Sequence, residues 1–331
     1  MARVTISLAV AGFAIFSVMT LVDPGPALVT TLPGAPHCRI LPADNVWNTP
    51  ISNLPVDPHS AHYIAAIGAA APLHPDFGNG DWDGEPMGIP YNVVPASQRG
   101  VTISFEYSSE SDAGPYPIPP DATIEGGPAS TGDRHVLVVD AGSCTDYEMW
   151  AAYPEHGGKS WQAGSGAVFP LGSDKLRPAG WTSADAAGLP ILPGLVRPDE
   201  VRAGTIDHAI RVTVPRTDNR YIWPARHEAG QPDPGDPPMG LRLRLKASVP
   251  IGRFPRMDRV ILKALKTYGM IVADNGAPWY ITGVGSPYWD NDTLHELTQI
   301  VGSDFEVVDE SCLMVSASSG AANPSHCRPA N

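Results

Sequence analysis

The chain has few charged residues and still fewer basic ones. Asp, Glu, Lys and Arg make up 17% of its 331 residues, and 22 Lys and Arg stand against 35 Asp and Glu, a formal net charge of −13. So small a charged fraction argues against coiled coils and long solvated helices. A chain this acidic also lacks the basic face that neutralises phosphates, so we expect no nucleic-acid partner.

Several common catalytic motifs are missing. Gly164-Ser165-Gly166 does not fit the GxSxG nucleophile elbow. There is no HExxH zinc motif, no Walker loop and no dinucleotide-binding glycine pattern. Asp81-Trp82-Asp83 lacks the downstream ligands of an EF-hand calcium loop. These absences remove common serine hydrolases, zincins, nucleotide-dependent enzymes and Rossmann oxidoreductases from the first choices.

One long apolar run is present, at the N-terminus. Arg3 precedes apolar residues 4–22, and the small residues of 23–27 follow. This order is typical of a secretory signal, so residues 1–27 are predicted to be a signal peptide and the mature protein to be secreted and extracellular. Because the run is long for a signal, an uncleaved N-terminal anchor is the alternative. No other stretch approaches the length of a membrane span.

Only four cysteines occur, and their spacing matches no zinc site and contains no CxxC pair. An even number in an exported chain favours two disulfides. We predict Cys312–Cys327, which would close a local loop in the tail, and Cys38–Cys144, which would hold the N-terminal segment against the body. Free buried thiols are the alternative.

The 36 Pro and 33 Gly residues make about a fifth of the chain, which indicates many turns and short elements. We predict a Pro-rich lead-in at 28–45, a single β-rich catalytic or binding domain at 46–311, and a disulfide-pinned C-terminal tail at 312–331. The predicted fold is mainly β, a sandwich or jelly roll with a few peripheral helices. An α+β fold is the alternative, because 256–301 has the pattern helix, hairpin, helix.

Period-two alternation predicts individual strands. It is present in 101–107, 207–214 and 241–246, while 135–140 and 145–152 flank a short connection and predict a hairpin. A second hairpin is predicted around Asp274-Asn275-Gly276. Capping signals and apolar periodicity predict helices at 59–70, 256–268 and 294–301, the last opened by Thr293 and Glu296.

The segment 106–135 concentrates carboxylates among Gly and Pro. Hydrolysis of a glycosidic bond needs two carboxyl groups, one to protonate the leaving oxygen and one to act as nucleophile or base. The candidates are Glu110, Asp112, Glu125 and Asp133, together with Glu148 on the following strand. A calcium site and a solvated acidic loop are the alternatives. No cofactor is expected otherwise, and the identity of any metal is left open.

Histidines and aromatic residues supply the other candidates. His135 and His208 begin strands on their apolar faces, where a structural histidine is the alternative to a catalytic one. If histidines converge, they could bind a metal with Asp133 or Glu125. Otherwise they could abstract a sugar C5 proton while an arginine neutralises a uronate. The candidate substrate-binding residues are Trp150, Trp181, Tyr221, Trp223, Arg226 and His227.

Arg242, Arg244 and Lys246 alternate with leucines and form the sharpest basic feature. On a solvent-facing strand this stripe would serve only solubility. On a concave sheet it would bind an anionic polymer such as a uronan.

Together these features predict a secreted enzyme that acts on an extracellular or cell-wall polysaccharide, as a glycoside hydrolase with paired carboxylates. The first alternative is a polysaccharide lyase that uses His, Tyr and Arg on a uronate polymer. The second is a non-catalytic glycan-binding or cell-wall-binding protein. About 300 mature residues are generous for a binding module, which favours an enzyme. We expect a glycan partner, no membrane span in the mature chain and a monomer.

Overall fold

The structure is a computed structural model that describes residues 31–327. The predicted signal peptide and residues 328–331 of the tail lie outside the described residues. Strands account for 29% of the residues and helices for 18%, and the strands form several sheets. The predicted mainly β fold with a few short peripheral helices is therefore confirmed.

The strands are short, as the Pro and Gly content predicts. In chain order they are β1 (Thr31–Leu32), β2 (Ala35–Arg39), β3 (His74–Asp76), β4 (Asp81–Trp82), β5 (Glu85–Pro86), β6 (Tyr91–Val94), β7 (Thr102–Phe105), β8 (Val136–Asp140), β9 (Thr145–Trp150), β10 (Tyr153–Glu155), β11 (Ser160–Ala163), β12 (Ser165–Pro170), β13 (Ile210–Val214), β14 (Arg242–Leu245), β15 (Met270–Asn275), β16 (Tyr280–Thr282) and β17 (Phe305–Val307).

Helices in residues 31–327 are few and mostly brief. The α-helices are α1 (Ser60–Ile67), α2 (Pro198–Ala203), α3 (Arg256–Thr267) and α4 (Asn291–His295). The 3₁₀ turns are Val46–Asn48, Ser108–Glu110, Leu192–Gly194, Glu296–Gln299, Gly302–Asp304, Ser311–Leu313 and Pro324–Cys327. The predicted capping box at Thr293 is wrong. The N-cap is Asp290, whose carboxylate accepts from the backbone N–H of Thr293 at 3.1 Å, so α4 begins earlier than predicted.

Two larger sheets dominate, and both mix parallel and antiparallel pairs. The four-stranded sheet has the order β12-β9-β8-β6, and the six-stranded sheet has the order β17-β14-β15-β13-β16-β3. The hairpin predicted from 135–140 and 145–152 is confirmed as the antiparallel pair β8–β9. The hairpin predicted around Asp274-Asn275-Gly276 is wrong, because β13 lies between β15 and β16 and pairs with both.

The alternating side chains of β8 separate two buried cores. Leu137 and Val139 belong to the large core that is shared with the six-stranded sheet. Val136 and Val138 face the other way, into a smaller core that contains Trp161 of β11. The four-stranded sheet is therefore covered on both faces, and the strong apolar run of β8 follows from that burial.

Arg242 and Arg244 of the basic stripe on β14 are buried. They therefore serve neither of the two predicted roles, solubility or the binding of an anionic polymer. Arg242 forms an ion pair with Glu310 at 3.2 Å, and Arg244 forms one with Glu306 at 2.8 Å. Both guanidinium groups also donate to backbone carbonyls in the segment 46–54. This segment covers the face of the sheet that the alternation had assigned to solvent.

All four cysteines are paired, and the predicted connectivity is confirmed. Cys38 bonds to Cys144, and Cys312 bonds to Cys327. Disulfides of this kind are compatible with an oxidising, extracellular compartment. Among the helices of residues 31–327, none is long and apolar enough to cross a membrane.

Candidate active site

A cavity of about 500 Å³ lies against β3, the edge strand of the six-stranded sheet. Its wall is completed by the β4–β5 hairpin, the loop that follows Ile124, the start of β16, and α4 with its following turn. The lining carries carboxylate, imidazole, phenol and indole groups from His74, Asp76, Asp81, Trp82, Glu85, Glu125, Asp133, Tyr280 and His295. This mixture in a concave site is typical of an active site.

The parallel pairing of β3 with β16 sets one wall. It places His74 beside Tyr280 and Asp76 beside Thr282. The rings of His74 and Tyr280 are stacked, with centroids 4.1 Å apart. Because strand side chains alternate, His74 and Asp76 share a face while Pro75 between them is buried. Burial lowers the pKa of His74 and outweighs the opposing charge of Asp76, so the imidazole is neutral at pH 7.

The β4–β5 hairpin forms the rim of the cavity. Asp83 and Gly84 both have positive φ, 51° and 86°, as a two-residue type I′ turn requires. The turn pairs Trp82 with Glu85, and the Trp82 side chain is 76% exposed. The hydroxyl of Ser130 donates to Glu85 at 3.0 Å. The hairpin is thereby fixed to the opposite loop, with an indole face presented to solvent.

The loop 125–134 is held in shape from within. Gly126 has φ of 66°, and an added Cβ would lie 2.4 Å from the Ser130 hydroxyl, so no other residue fits there. The guanidinium of Arg134 is buried and donates to the carbonyls of Pro128 at 3.0 Å and Ser130 at 2.9 Å. Its Nε donates to the carbonyl of Ala152 at 3.1 Å, so these donors bind backbone carbonyls and do not serve a uronate.

Glu125 is paired with His135, and both were predicted site residues. His135 Nδ1 lies 2.6 Å from Glu125 Oε2, and His135 Nε2 lies 3.1 Å from the carbonyl oxygen of Ala184. A carboxylate and a carbonyl can only accept, so both ring nitrogens donate and the ring is an imidazolium. Burial would lower the pKa of His135, but the Glu125 carboxylate outweighs it and raises this pKa to about 9.

The same pair keeps Glu125 charged. Burial alone would raise the pKa of this carboxyl, but the charge and hydrogen bonds of His135 outweigh it, and the pKa is lowered. The backbone N–H of His135 donates to the same oxygen, Oε2, at 3.2 Å. Among the hydrogen bonds of the described residues, none involves the other oxygen, Oε1. Glu125 therefore lines the cavity as a carboxylate with one uncommitted oxygen.

The pKa of Asp76 is raised, in contrast to that of Glu125. Water reaches it through the cavity, but the surrounding walls remove much of its hydration, and this burial is the main cause that raises its pKa. The charges of Glu125 and Asp133 raise the pKa further, whereas His74 and Arg211 oppose the rise. One cavity therefore holds two carboxyl groups whose surroundings push their pKa values apart, the condition for a general acid and a base in one site.

Asp133 also lines the cavity, and Trp150 holds it in place. The indole N–H of Trp150 donates to the carboxylate of Asp133 at 3.2 Å. Trp150 was predicted to stack on a sugar, but its ring packs so closely on Gly164 that an added Cβ there would lie 2.2 Å from it. In this position Trp150 orients an acid and does not line the cavity.

Glu110 and Asp112 lie in a different cluster and do not line the cavity. Asp112 forms an ion pair with Arg177, and Glu110 Oε2 accepts from the backbone N–H of Thr182 at 3.3 Å. His227 approaches Glu110 to 3.7 Å. The guanidinium of Arg177 also lies over the ring of Trp181. These predicted residues meet one another, but they do not meet Glu125.

Glu148 is also separate from the cavity, because its side chain is fully buried in the large core. Its carboxyl oxygens accept the backbone N–H groups of Ile191 and Leu192, each at 2.9 Å. Asp146, two residues earlier on the same strand face, is equally buried. Burial is the main cause that raises the pKa of both carboxyl groups. The contacts of Glu148 tie β9 to the segment 191–192.

The remaining predicted residues hold chain segments together at places away from the cavity lining. His208 is buried and lies 3.2 Å from Glu200, and Trp223 donates to the carbonyl of Ser319 at 2.8 Å. Arg226 donates to the carbonyl of Arg177 at 2.7 Å. Tyr221 forms an isolated bridge with Met239.

No metal centre of three ligands is assembled at the cavity. In residues 31–327 one group of His, Cys, Asp or Glu side chains brings three ligand atoms within 4.8 Å of one another, and it consists of His37, Cys38 and Cys144. Both sulfur atoms of that group belong to a disulfide. Among the described residues the cavity carboxylates form no such three-ligand group, so the calcium alternative gains no support from this geometry.

Sequence reasoning missed seven of the nine cavity groups named above, which are Asp81, Glu85, His295, Asp76, His74, Tyr280 and Trp82. A signal for the last was present, because Asp83-Gly84 between short strands is a strong hairpin indicator and places Trp82 beside the turn. The alternation in His74-Pro75-Asp76 is too short to stand out. Its importance comes from pairing with β16, about 200 residues later.

The chain matches no protein-family model, no curated protein and no solved structure. Its function is therefore argued from the residues of the cavity.

Proposed function

We propose that the chain is a secreted carbohydrate-active hydrolase that cleaves glycosidic bonds in this cavity. Asp76 is the general acid, and Glu125 is the base or nucleophile. The observation that carries the proposal is the presence of both carboxyl groups in one cavity, with the pKa of Asp76 raised and that of Glu125 lowered. The predicted signal peptide and the two disulfides support export.

The reaction needs only water and these two groups. Asp76 in its protonated form gives its proton to the glycosidic oxygen while the bond from that oxygen to the anomeric carbon breaks. Glu125 either removes a proton from the water that attacks the anomeric carbon, or attacks this carbon itself and forms a glycosyl ester. In the second case the Asp76 carboxylate then removes a proton from the water that hydrolyses the ester and frees Glu125. His135 is protonated and holds Glu125 in the carboxylate form at the start of the reaction.

Trp82 and the stacked pair His74–Tyr280 support a sugar ligand. Sugar rings have apolar faces that pack on aromatic rings, and polar edges that need fixed hydrogen-bonding partners. Trp82 offers a 76% exposed indole at the rim. His74 and Tyr280 present a second aromatic surface inside the cavity.

The charge of the lining favours neutral glycans over uronates. Its acidic members are Asp76, Asp81, Glu85, Glu125 and Asp133, and among the described residues that line the cavity none is Lys or Arg. A lyase needs a cation to neutralise the uronate carboxylate, and an anionic polymer would meet repulsion here. These features support the hydrolase over the lyase.

The test incubates the purified protein with neutral and uronic polysaccharides and follows new reducing ends and product masses. We expect cleavage of a neutral polymer with one water added per bond. Asp76→Asn and Glu125→Gln should each lower the rate by at least about 100-fold. Asp121→Asn and Glu106→Gln are matched controls, since both side chains are exposed and outside the cavity lining, and they should leave the rate unchanged.

Three results would contradict the proposal. Products that lack the added water would indicate a lyase. Binding of a glycan without new ends would indicate the non-catalytic alternative. Loss of activity in Glu110→Gln or Asp112→Asn, with Glu125→Gln fully active, would place the chemistry in the other acidic cluster.

A further inference from the structure

Arg211 on β13 is buried behind the cavity and contacts three side chains there. It donates two parallel hydrogen bonds to Asp185, from Nε to Oδ2 at 2.7 Å and from Nη2 to Oδ1 at 2.8 Å. Its Nη1 donates to the hydroxyl of Thr282 at 3.0 Å, and Nη2 lies 3.2 Å from Asp274. The planar guanidinium therefore links β13 to the segment that carries Asp185, to β15 through Asp274 and to β16 through Thr282.

Two of these contacts lead to the two carboxyl groups of the proposed reaction. Asp185 follows Ala184, whose carbonyl accepts from His135 Nε2, and His135 holds Glu125. On the other side, Thr282 lies in register with Asp76 in the parallel pair of β16 and β3. The guanidinium of Arg211 thus connects the segment 184–185, which binds the His135 partner of Glu125, with β16, the strand that pairs with β3 at Asp76.

We propose that Arg211 is a positioning residue that sets the spacing between Glu125 and Asp76 and holds the Glu125–His135 pair in place. This inference rests on the proposed function. A lysine could keep the charge, but it could not form the bidentate hydrogen bonds to Asp185 together with the hydrogen bond to Thr282. The role therefore belongs to the shape of the guanidinium as well as to its charge.

The charge of Arg211 acts differently on the two partners, because it favours the carboxylate form of Glu125 and disfavours the imidazolium form of His135. Burial is the largest influence on the pKa of Glu125 and His135, and their mutual interaction comes next. The charge of Arg211 then lowers the pKa of both groups. Asp185 and Asp274 are the acids that face Arg211 directly, and burial with the charge of Asp185 raises the pKa of Asp274 to about 7.

The experiment compares Arg211→Lys and Arg211→Gln with the unaltered protein. It measures kcat and KM as functions of pH, and it measures the titration of the His135 ring by NMR of labelled histidine. For Arg211→Lys we expect kcat to fall about 10- to 100-fold with KM within about twofold, because the reacting groups are misplaced while the substrate still binds. For Arg211→Gln we expect the pKa of His135 to rise, because a neighbouring positive charge is removed.

Arg242→Lys is the matched control. Arg242 is an equally buried arginine in an ion pair, with Glu310, and it lies outside the cavity lining. It should lose stability without a change in kcat or in the His135 titration. Equal changes in Arg211→Lys and Arg242→Lys would show that Arg211 is only structural and would overturn the inference.

The readouts separate this inference from the proposed function. If Arg211→Gln does not fold, Arg211→Lys carries the test, and an unchanged kcat and pH profile in that variant overturns the proposal. If no polysaccharide is cleaved, the proposed function fails. The His135 titration still decides whether Arg211 controls the pair, since it requires no substrate.

Discussion

His135 and Glu125 form an ion pair in which the histidine is buried and the glutamate opens on the cavity. The nitrogen and oxygen are 2.6 Å apart, and the second ring nitrogen is satisfied by a carbonyl. The charged form of each partner depends on the other, so this pair couples the stability of the protein to the chemistry of the cavity.

The first prediction concerns stability against pH. The folded pKa of His135 is raised from 6.5 to about 9, so its contribution is complete below about 6.5 and is lost as the pH rises through 9. The pKa of Glu125 is lowered, so its contribution is present above its ordinary value and is lost as the pH falls through the folded value. In urea unfolding this ionisation of His135 should account for a loss of about 3 kcal/mol between pH 6.5 and 9.

Glu125→Gln should flatten that alkaline decline, because a buried His135 without a carboxylate partner is neutral. Glu106→Gln, at an exposed position, should leave the slope as it is. An equal alkaline decline in Glu125→Gln and in the unaltered protein would contradict the assignment of this window to the pair.

The second prediction concerns Trp82. Trp82→Ala should weaken glycan binding about tenfold, equivalent to about 1.4 kcal/mol, with no loss of stability, because the side chain is 76% exposed and supports no core. Calorimetric titration and thermal unfolding measure the two effects. Trp181→Ala is the comparison, since Trp181 packs with Arg177 outside the cavity lining. Weaker binding in Trp181→Ala alone would move the sugar-binding surface to that cluster.

The third prediction concerns Asp146 and Glu148 on β9. Burial raises the pKa of both carboxyl groups, so the folded protein binds more protons than the unfolded chain above the ordinary carboxyl range. Stability should therefore fall as the pH rises from that range through the raised values. Asp146→Asn removes one ionisable group and should give a higher Tm than the unaltered protein at pH 8, with a smaller difference at pH 4. A uniform loss of Tm at both pH values would contradict this account.

The fourth prediction compares the two disulfides. Cys38 and Cys144 are 106 residues apart, and Cys312 and Cys327 are 15 apart. In the chain-entropy account, loops of these lengths contribute about 4.7 and about 3 kcal/mol. Replacing Cys38 and Cys144 together by Ser should therefore lower the free energy of unfolding more than replacing Cys312 and Cys327 together. Denaturant unfolding of the two double variants measures the difference, and the reverse order would show that native-state contacts dominate.

Local features were predictable from the sequence. The β8–β9 hairpin follows from two apolar runs around a short connection, and both disulfides follow from the four cysteine positions. The burial of Arg242 could not be read from its alternation with leucines. That pattern assigns polar residues to solvent, whereas here the segment 46–54 supplies carbonyl acceptors and Glu310 supplies a charge.

The site was only partly predictable, for the same reason. Glu125 and Asp133 were identified because they lie in one acidic segment, and His135 because it begins the strand that follows. Asp76 was missed because it joins them only through the pairing of β3 with β16, which no local pattern reports. The sequence grouped Glu148 with them because it lies on a strand two residues from Trp150, whereas the structure buries its side chain away from the cavity.

The attachment of β3 at the edge of the six-stranded sheet also has a kinetic consequence. β3 is held by a parallel pairing with β16, so residues near 75 must find partners near 281. Contacts of such high sequence separation form slowly, because bringing two distant segments together costs loop-closure entropy before the contact contributes any stability. During refolding, the proposed hydrolytic activity should therefore return after the compact hairpin β8–β9 has formed. An intermediate in which β3 is still unpaired should lack this activity, whatever part of the core it has formed.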